Sequence, residues 1–457
     1  MPAGTTNFPG SLDSHTGASP LGFGEVNNQA NTLTTASHTN SVTTITVAST
    51  SKFPSKGYIL IKREIISYTG TTATTFTGCT RGVGGTTADA YLTGTKVEHV
   101  VVAANHNDLA AGLVAVETAM GARLRYLTRK NRVINGDMRV CQRTTLGSSD
   151  DTFTLDRWTV LMEAANGCVV TQETSDVPTD GSKYAAKLTV GSGEDNKFGL
   201  ATYLEFRDIA DLRGKTISLQ AKLKATAAIT DVRMAVLEWT STADSVTSDV
   251  AGTWGSAGTN PALASNWAYL GTPANLSPTT SWATYRVEGL TVGASANNLA
   301  VFIWCEDETT TVTTDYLLIT DVQLEEGPTC SGFERRHYAQ ELALCQRYLQ
   351  RIGGVSSAVV FASLGSATAN NQAEFGPLLR APMRTASPSL TYTAGDWAVY
   401  YRAGGNTITS LSILYSTSES VWLRAALTGT PLVADAAVAL GPYTGGSYSP
   451  LLFSAEL

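Results

Sequence analysis

The chain has 457 residues, with 32 Lys plus Arg against 39 Asp plus Glu and a formal charge of −7. At roughly 100–200 residues per domain this length predicts about three domains, and the mild acidic balance excludes the basic face of a nucleic-acid binder. Hydrophobic content of 43% is ample for real cores, while no apolar run is long enough for a membrane-spanning helix.

Residues 1–40 are rich in Thr, Ser, Asn and Gly and read as an extended attachment arm that orders against a partner. The first 20 residues lack the basic start and apolar centre of a secretory signal. Residues 41–103 read as a small β module. Thr44–Ala48 alternates, Tyr58–Ile61 and Ile65–Tyr68 are apolar runs of strand length, and Thr69-Gly70, Thr77-Gly78 and Arg81–Gly85 punctuate turns.

The period then changes. In Asn105–Leu127 the apolar positions Leu109, Leu113, Val116, Met120, Leu124 and Leu127 are spaced 4, 3, 4, 4 and 3, a coiled-coil seam with one stutter. A single amphipathic helix docked on the β modules fits the same stripe. Self-association of residues 104–130 is favoured because the segment joins two β regions without a spare helical partner. A lone helix of this length is also barely stable in water.

Residues 131–333 predict a β-sandwich of many short strands and long loops. Ile217, Leu219, Ala221 and Leu223 alternate against Lys222 and Lys224. Leu299, Val301, Ile303 and Cys305 alternate against Ala300, Phe302 and Trp304, and Tyr316, Leu318, Val322 and Leu324 repeat the pattern. Residues 334–354 predict one amphipathic helix, with Tyr338, Leu342, Cys345, Leu349 and Ile352 as its core stripe and Gly353-Gly354 as its end. Residues 355–457 predict a third β module, with strands at Val359–Ala362, Leu390–Thr393, Trp397–Tyr401, Ile408–Tyr415 and Val421–Arg424.

Catalytic layouts are missing from the sequence. It has no G-x-S-x-G elbow, no H-E-x-x-H, no phosphate-binding loop and no EF-hand loop. The 6 cysteines have no C-x-x-C spacing and read as free thiols in a protein made in reducing cytoplasm. Glu306-Asp307-Glu308 reads as a solvated loop and Asp321, Glu325 and Glu326 as the close of a strand. Neither cluster presents the facing carboxyl pair that glycan cleavage needs, so a non-enzyme is expected. The aromatics Trp239, Trp254, Trp267 and Tyr269 lie in a loop-rich stretch and are candidates for stacking on sugar rings. Burial in a core is the competing account. Trp282, on an alternating stretch, is expected in the core.

Several stretches resemble bacteriophage tail-fibre proteins. Gly57–Val97 is similar to a small β module recurrent in their N-terminal parts, and Asn105–Gly121 looks like the short trimerisation helix that follows it. Asn131–Arg143 (NRVINGDMRVCQR), Thr154–Trp158 (TLDRW), Thr320–Tyr338 (TDVQLEEGPTCSGFERRHY) and Glu341–Tyr348 (ELALCQRY) resemble, in that order, a jelly-roll module of carbohydrate-binding type. The resemblance implies a mainly β, elongated homotrimer of tandem sandwich or jelly-roll modules. Its N-terminal arm would attach to the phage tail or baseplate, and its β modules would bind host surface polysaccharide. The location implied is the virion, after synthesis in the host cytoplasm and release by lysis. A purely structural connector and a glycan depolymerase are the rival expectations. Such jelly rolls often carry a structural calcium near an Asn-Gly-x-Phe-Glu stretch and a late Asp before Val. Here Asn135-Gly136-Asp137 and Asp321-Val322 match, which makes Asp137 and Asp321 the calcium candidates. Met138-Arg139 replaces the Phe-Glu, which puts a cation where the pattern has a carboxylate. A salt bridge to a neighbouring acid is the alternative for Arg139.

Overall fold

A computed structural model describes residues 30–102 and 130–457, apart from residues 145, 148, 165, 192–196, 257, 306–312, 354–361, 403, 444, 445 and 447. Of the segment between these two stretches it describes Ala110 and Leu113, both helical, with Leu113 exposed. The other seam positions, Leu109, Val116, Met120, Leu124 and Leu127, lie outside the described residues, as does residues 306–308. The chain divides into two compact units, Met1–Thr128 and Arg129–Leu457. No helix among the described residues is long and apolar enough to cross a membrane.

The first unit is a small two-sheet module. Its five-stranded sheet runs Asn31–Leu33, Lys96–His99, Gly57–Ile61, Glu64–Tyr68, Thr80–Val83, and its three-stranded sheet runs Thr44–Thr46, Thr75–Thr77, Gly70–Thr71. Alternation turns Ile59, Ile61, Ile66 and Tyr68 inward onto Ile45, Val47, Phe76 and Val97. The module departs from expectation at two places. Asn31–Leu33, assigned above to the arm, is an edge strand paired with Lys96–His99. Thr80–Val83 is a strand, and the turn expected at Arg81–Gly85 is confined to Gly84 and Gly85, both at positive φ.

The second unit begins with the expected sandwich. A six-stranded sheet (Trp267–Tyr269, Val232–Trp239, Asn298–Cys305, Phe198–Leu204, Thr159–Met162, Thr152–Phe153) faces a five-stranded one (Cys168–Glu173, Ala185–Val190, Tyr316–Glu326, Thr216–Ala225, Ala283–Thr291). The predicted inward residues Ile217, Leu219, Ala221 and Leu223 meet Leu299, Val301, Ile303 and Cys305 in one core. The opposite face of Asn298–Cys305 is buried too: Ala300, Phe302 and Trp304 lie in a second core with Val250, Ala251 and Trp267.

Tyr316–Glu326 differs from its predicted register. Gln220 pairs with Gln323 and Lys222 with Thr320, so two residues, Asp321 and Val322, oppose Ala221 alone. This β-bulge, with Asp321 at φ 50°, resets the alternation. Leu317 and Ile319 point into the core before it and Val322 and Leu324 after it, in place of Tyr316 and Leu318.

The helix expected over residues 334–354 covers only Tyr338–Gln346, with His337 as its N-cap. Leu349–Ile352 is a strand paired with Leu451–Ser454, which also pairs with Ser389–Thr391. The same apolar stripe suits either period, and pairing with a strand a hundred residues away decides it. The last module is a closed six-stranded barrel, Ser363–Ala369, Gln372–Phe375, Val421–Leu427, Gly404–Ser416, Trp397–Tyr401, Ala437–Pro442, rather than a further sandwich. Closure removes the sheet edges that a sandwich of strands this short would leave unpaired. Phe375, Trp397, Val399, Leu423 and Leu440 fill its core.

Candidate functional site

The stretches most specific in the sequence come together as a buried polar knot at one end of the sandwich. Asn131–Met138 runs beside the bulge: Arg132 N–H donates to Leu324 O at 2.8 Å, and Val322 N–H to Gly136 O at 2.8 Å. A Cβ on Gly136 would stand 2.1 Å from Val322 O, so only glycine allows this approach. Asn135 Nδ2 donates to Val140 O and Asp156 O, both at 2.9 Å, and Trp158 Nε1 donates to Asn135 O at 3.0 Å. Glu341 accepts from Asn135 N–H and from Arg336, which also donates to Val133 O. Arg157, buried, donates to Glu456 and lies 3.5 Å from the Tyr348 ring centroid. Apart from the Nε atoms of Arg132 and Arg157, which have no hydrogen-bond partner, the buried polar groups here satisfy one another, so their role is architectural.

The calcium candidates do not fit a calcium ion. Arg139 forms an ion pair with Asp137, which is the alternative raised by the sequence. Asp321 is flanked by Lys222 Nζ at 3.7 Å and Arg335 Nη2 at 3.6 Å and accepts from Ser182. A calcium site gathers six to eight oxygens, whereas each of these carboxylates faces side-chain cations. No group of three or more metal-ligating side chains occurs among the described residues.

The expected sugar-stacking aromatics occupy a different environment from the one anticipated. Trp239 and Trp267 are 4% and 6% exposed, with ring centroids 5.2 Å apart. Their indole N–H groups donate to Thr242 O and Thr247 O, each at 2.9 Å. Trp254 and Tyr269 are half-buried beside them, Trp254 edge-on to Phe302 at 5.9 Å and Tyr269 donating to Pro261 O. The four rings thus pack on the outer face of the six-stranded sheet, where Trp254 and Tyr269 lie against Phe302 and Trp304 instead of standing in solvent. Trp282, expected in the core, is half-buried and held by Asp176 at 3.2 Å.

A groove opens instead on the outer face of the five-stranded sheet. Its volume is about 490 Å³, and Gln220, Lys222, Asp321, Thr284, Arg286, Phe333 and Arg335 are among its lining residues. The floor comes from positions that alternate with the sandwich core, and the bulge turns Asp321 onto it. One wall is the segment after Gly327-Pro328, tied back across the sheet. Glu334 N–H donates to Gln323 Oε1 at 2.7 Å, and Ser331 N–H and Oγ donate to the buried Glu325 at 2.7 and 2.6 Å. The other wall carries Asp180, which accepts from Lys222 Nζ at 2.7 Å and is thereby held below the usual carboxylate range. Asp321 is buried, and its Oδ2 has no hydrogen-bond partner. The Arg286 guanidinium, exposed at the rim, forms no ion pair among the described residues. Cys330 is pushed up to about 12, by burial first and then by Glu288 and Glu325, so the groove holds a neutral thiol and no thiolate nucleophile.

The groove was not legible in the sequence as a site. Its members are scattered from residue 180 to residue 335, and the one local signal was the polar side of the Ile217–Leu223 alternation. Two carboxylates, an amide and guanidinium groups beside an aromatic ring suit a ligand that has hydroxyl edges and an apolar face.

No protein-family model and no curated protein sequence matches the chain. Solved structures similar to 43% of it include the enzymatically active domain of bacteriophage CBA120 tailspike protein 4, at 13% identity and TM-score 0.26, where the match spans 21% of that chain. TmCBM61 in complex with β-1,4-galactotriose is similar over 43% of this chain and 99% of its own, at 12% identity and TM-score 0.25. The C-terminal family 22 carbohydrate-binding module of Clostridium thermocellum Xyn10B is similar over 43% and 98%, at 12% identity and TM-score 0.25. These are partial likenesses, and the functional reading below rests on the groove.

Proposed function

We propose that the chain is a non-enzymatic phage fibre component that binds host surface glycan in the groove on the five-stranded sheet. The observation that supports this reading is the groove's composition. A floor of buried Gln220 and Asp321 with Lys222 supplies hydrogen-bonding partners for ring hydroxyls, while Phe333 on the wall supplies an apolar face. Arg286 and Arg335 add donors at the rim. Copies zipped through residues 104–130 would present the groove several times, so weak single-site affinity gains orders of magnitude in avidity where spacing permits.

The test is binding of the purified full chain to arrayed bacterial surface polysaccharides, alongside Phe333→Ala and Arg286→Ala. At least one polysaccharide should bind, and each variant should weaken it by at least tenfold without changing the thermal midpoint. Absence of binding across the array, or equal binding by both variants, refutes the groove as a glycan site. Sedimentation at micromolar protein should give three chains per particle; a single chain refutes the fibre assembly.

A further inference from the structure

The geometry points to a second, independent glycan platform on the outer wall of the C-terminal barrel, built on Trp422 and selective for neutral sugars. Strand register sets the platform. Tyr415 pairs directly with Trp422, and Phe375 pairs with both Leu423 and Gly365. Continuing that register by one residue places Leu364, Gly376, Trp422 and Tyr415 in one row across four adjacent strands. Three members of the row are exposed large side chains: Leu364 at 77%, Trp422 at 45% and Tyr415 at 77%. Gly376 lies against the indole, where an added Cβ would be 3.6 Å from Cε3 and Cζ3, and it leaves a notch between Leu364 and Trp422. With strands about 4.8 Å apart the row spans roughly 14 Å, enough for an oligosaccharide rather than one ring.

The neighbouring row is wholly polar. Ser366 pairs with Glu374, Glu374 with Arg424, and Arg424 with Ser412. Glu374 orders both rows. Its Oε2 accepts from Trp422 Nε1 at 2.8 Å, and its Oε1 accepts from Arg424 Nε and Nη2 at 3.0 and 2.6 Å. The indole plane is therefore fixed before any ligand arrives, which lowers the entropy lost on binding. An apolar row beside a row of hydrogen-bonding groups matches the two surfaces of a pyranose, its C–H face and its hydroxyl edge. The one charged pair cancels internally, so nothing in the platform favours an acidic sugar, unlike the Arg- and Lys-lined groove of the sandwich. A protein partner, including a second copy, would want an apolar centre enclosed by a polar rim, whereas here the apolar row, with the exposed Leu378 on its far side, has polar groups along one side, that of the Glu374–Arg424 pair.

The experiment exposes the full chain to arrayed neutral oligosaccharides of glucose, galactose, mannose, rhamnose and N-acetylhexosamines. Wild type is compared with Trp422→Ala, Trp422→Phe, Tyr415→Ala and the sandwich variant Phe333→Ala, and sedimentation is run on each. At least one neutral glycan should be bound by wild type and by Phe333→Ala alike, weakened at least tenfold by Trp422→Ala, and retained in part by Trp422→Phe, which keeps a stacking face. Loss in Phe333→Ala with retention in Trp422→Ala would overturn the platform and leave the groove standing. Absence of neutral-glycan binding by wild type would overturn it as well. A smaller particle in Trp422→Ala would overturn it in favour of a second copy of this chain as the occupant.

Discussion

Replacing Glu456 by Gln tests how the C-terminal tail is held. The Glu456 carboxylate is 4% exposed and faces two guanidinium groups, that of Arg143 at 3.3 Å and that of Arg157, itself 1% exposed. Arg157 also donates from Nη2 to Tyr203 O at 2.5 Å, and its Nε has no hydrogen-bond partner. Removing the carboxylate charge leaves the buried guanidinium with the Tyr348 ring, a carbonyl and the more distant charge of Glu205, which Arg347 already pairs, to answer it. Breaking a buried pair from one side costs about 3–5 kcal/mol. The Gln carbonyl still accepts one hydrogen bond, so the lower end, about 3 kcal/mol, applies. At about 2–4 °C per kcal/mol for a large domain, the midpoint of the second unit should fall by roughly 6–12 °C. Urea denaturation measures the loss, and amide exchange of Leu451–Ser454 should accelerate first, because that strand joins Leu349–Ile352 to Ser389–Thr391. The double variant Glu456→Gln with Arg157→Met removes both charges and should recover most of the loss. A single variant within about 0.5 kcal/mol of wild type, or a double variant less stable than the single, would refute the argument.

Other outcomes follow from the same structure. Gly136→Ala pushes a methyl into Val322 O and should abolish the close approach of Asn131–Met138 to the bulge, lowering the thermal midpoint far more than Gly332→Ala, where a Cβ meets nothing within 4 Å. Burial, then Asp150 and Asp151, push Asp249 up to about 6. The folded state therefore holds a proton that the unfolded chain releases, and stability falls as pH rises from about 4 through about 6. Asp249→Asn should gain about 1–2 kcal/mol at pH 7, after allowance for solvent screening, and nothing below pH 4. Burial alone would raise Glu64, but bonds from Arg81, Tyr91 and the Asp89 and Gly82 N–H groups outweigh it and hold the carboxyl at about 2. Its contribution is complete above pH 4.5 and is lost as pH falls toward 2. Protection of the Gly57–Tyr68 amides relative to their intrinsic exchange rates should fall over that window in wild type, and Glu64→Gln should lack that component of the acid dependence.

Local pattern determined the β character of the chain, the alternation of Ile217–Leu223 and Leu299–Cys305, and the free cysteines, all 6 of which are unpaired. Each depends on a side-chain period or a composition that a few neighbouring residues carry. Tertiary structure decided the rest. The bulge at Asp321 reverses the faces of Tyr316–Glu326 because its partner strand, not its own sequence, supplies one residue fewer. The apolar stripe through residues 338–352 splits into helix and strand because Leu451–Ser454 offers Leu349–Ile352 a pairing edge. Trp239 and Trp267 lie in a loop-rich stretch of sequence, yet they pair across two adjacent strands and are covered there, and burying those rings is worth more than wetting them. Trp422 reads in the sequence as one apolar residue of a strand; its hairpin partner Tyr415 is close in the chain, but only the pairing of Val421–Leu427 with Gln372–Phe375, and of that strand with Ser363–Ala369, brings Leu364 into the same row. Sites of this kind are products of strand order, which no stretch of sequence spells out, because residues far apart along the chain become neighbours only when the sheets assemble.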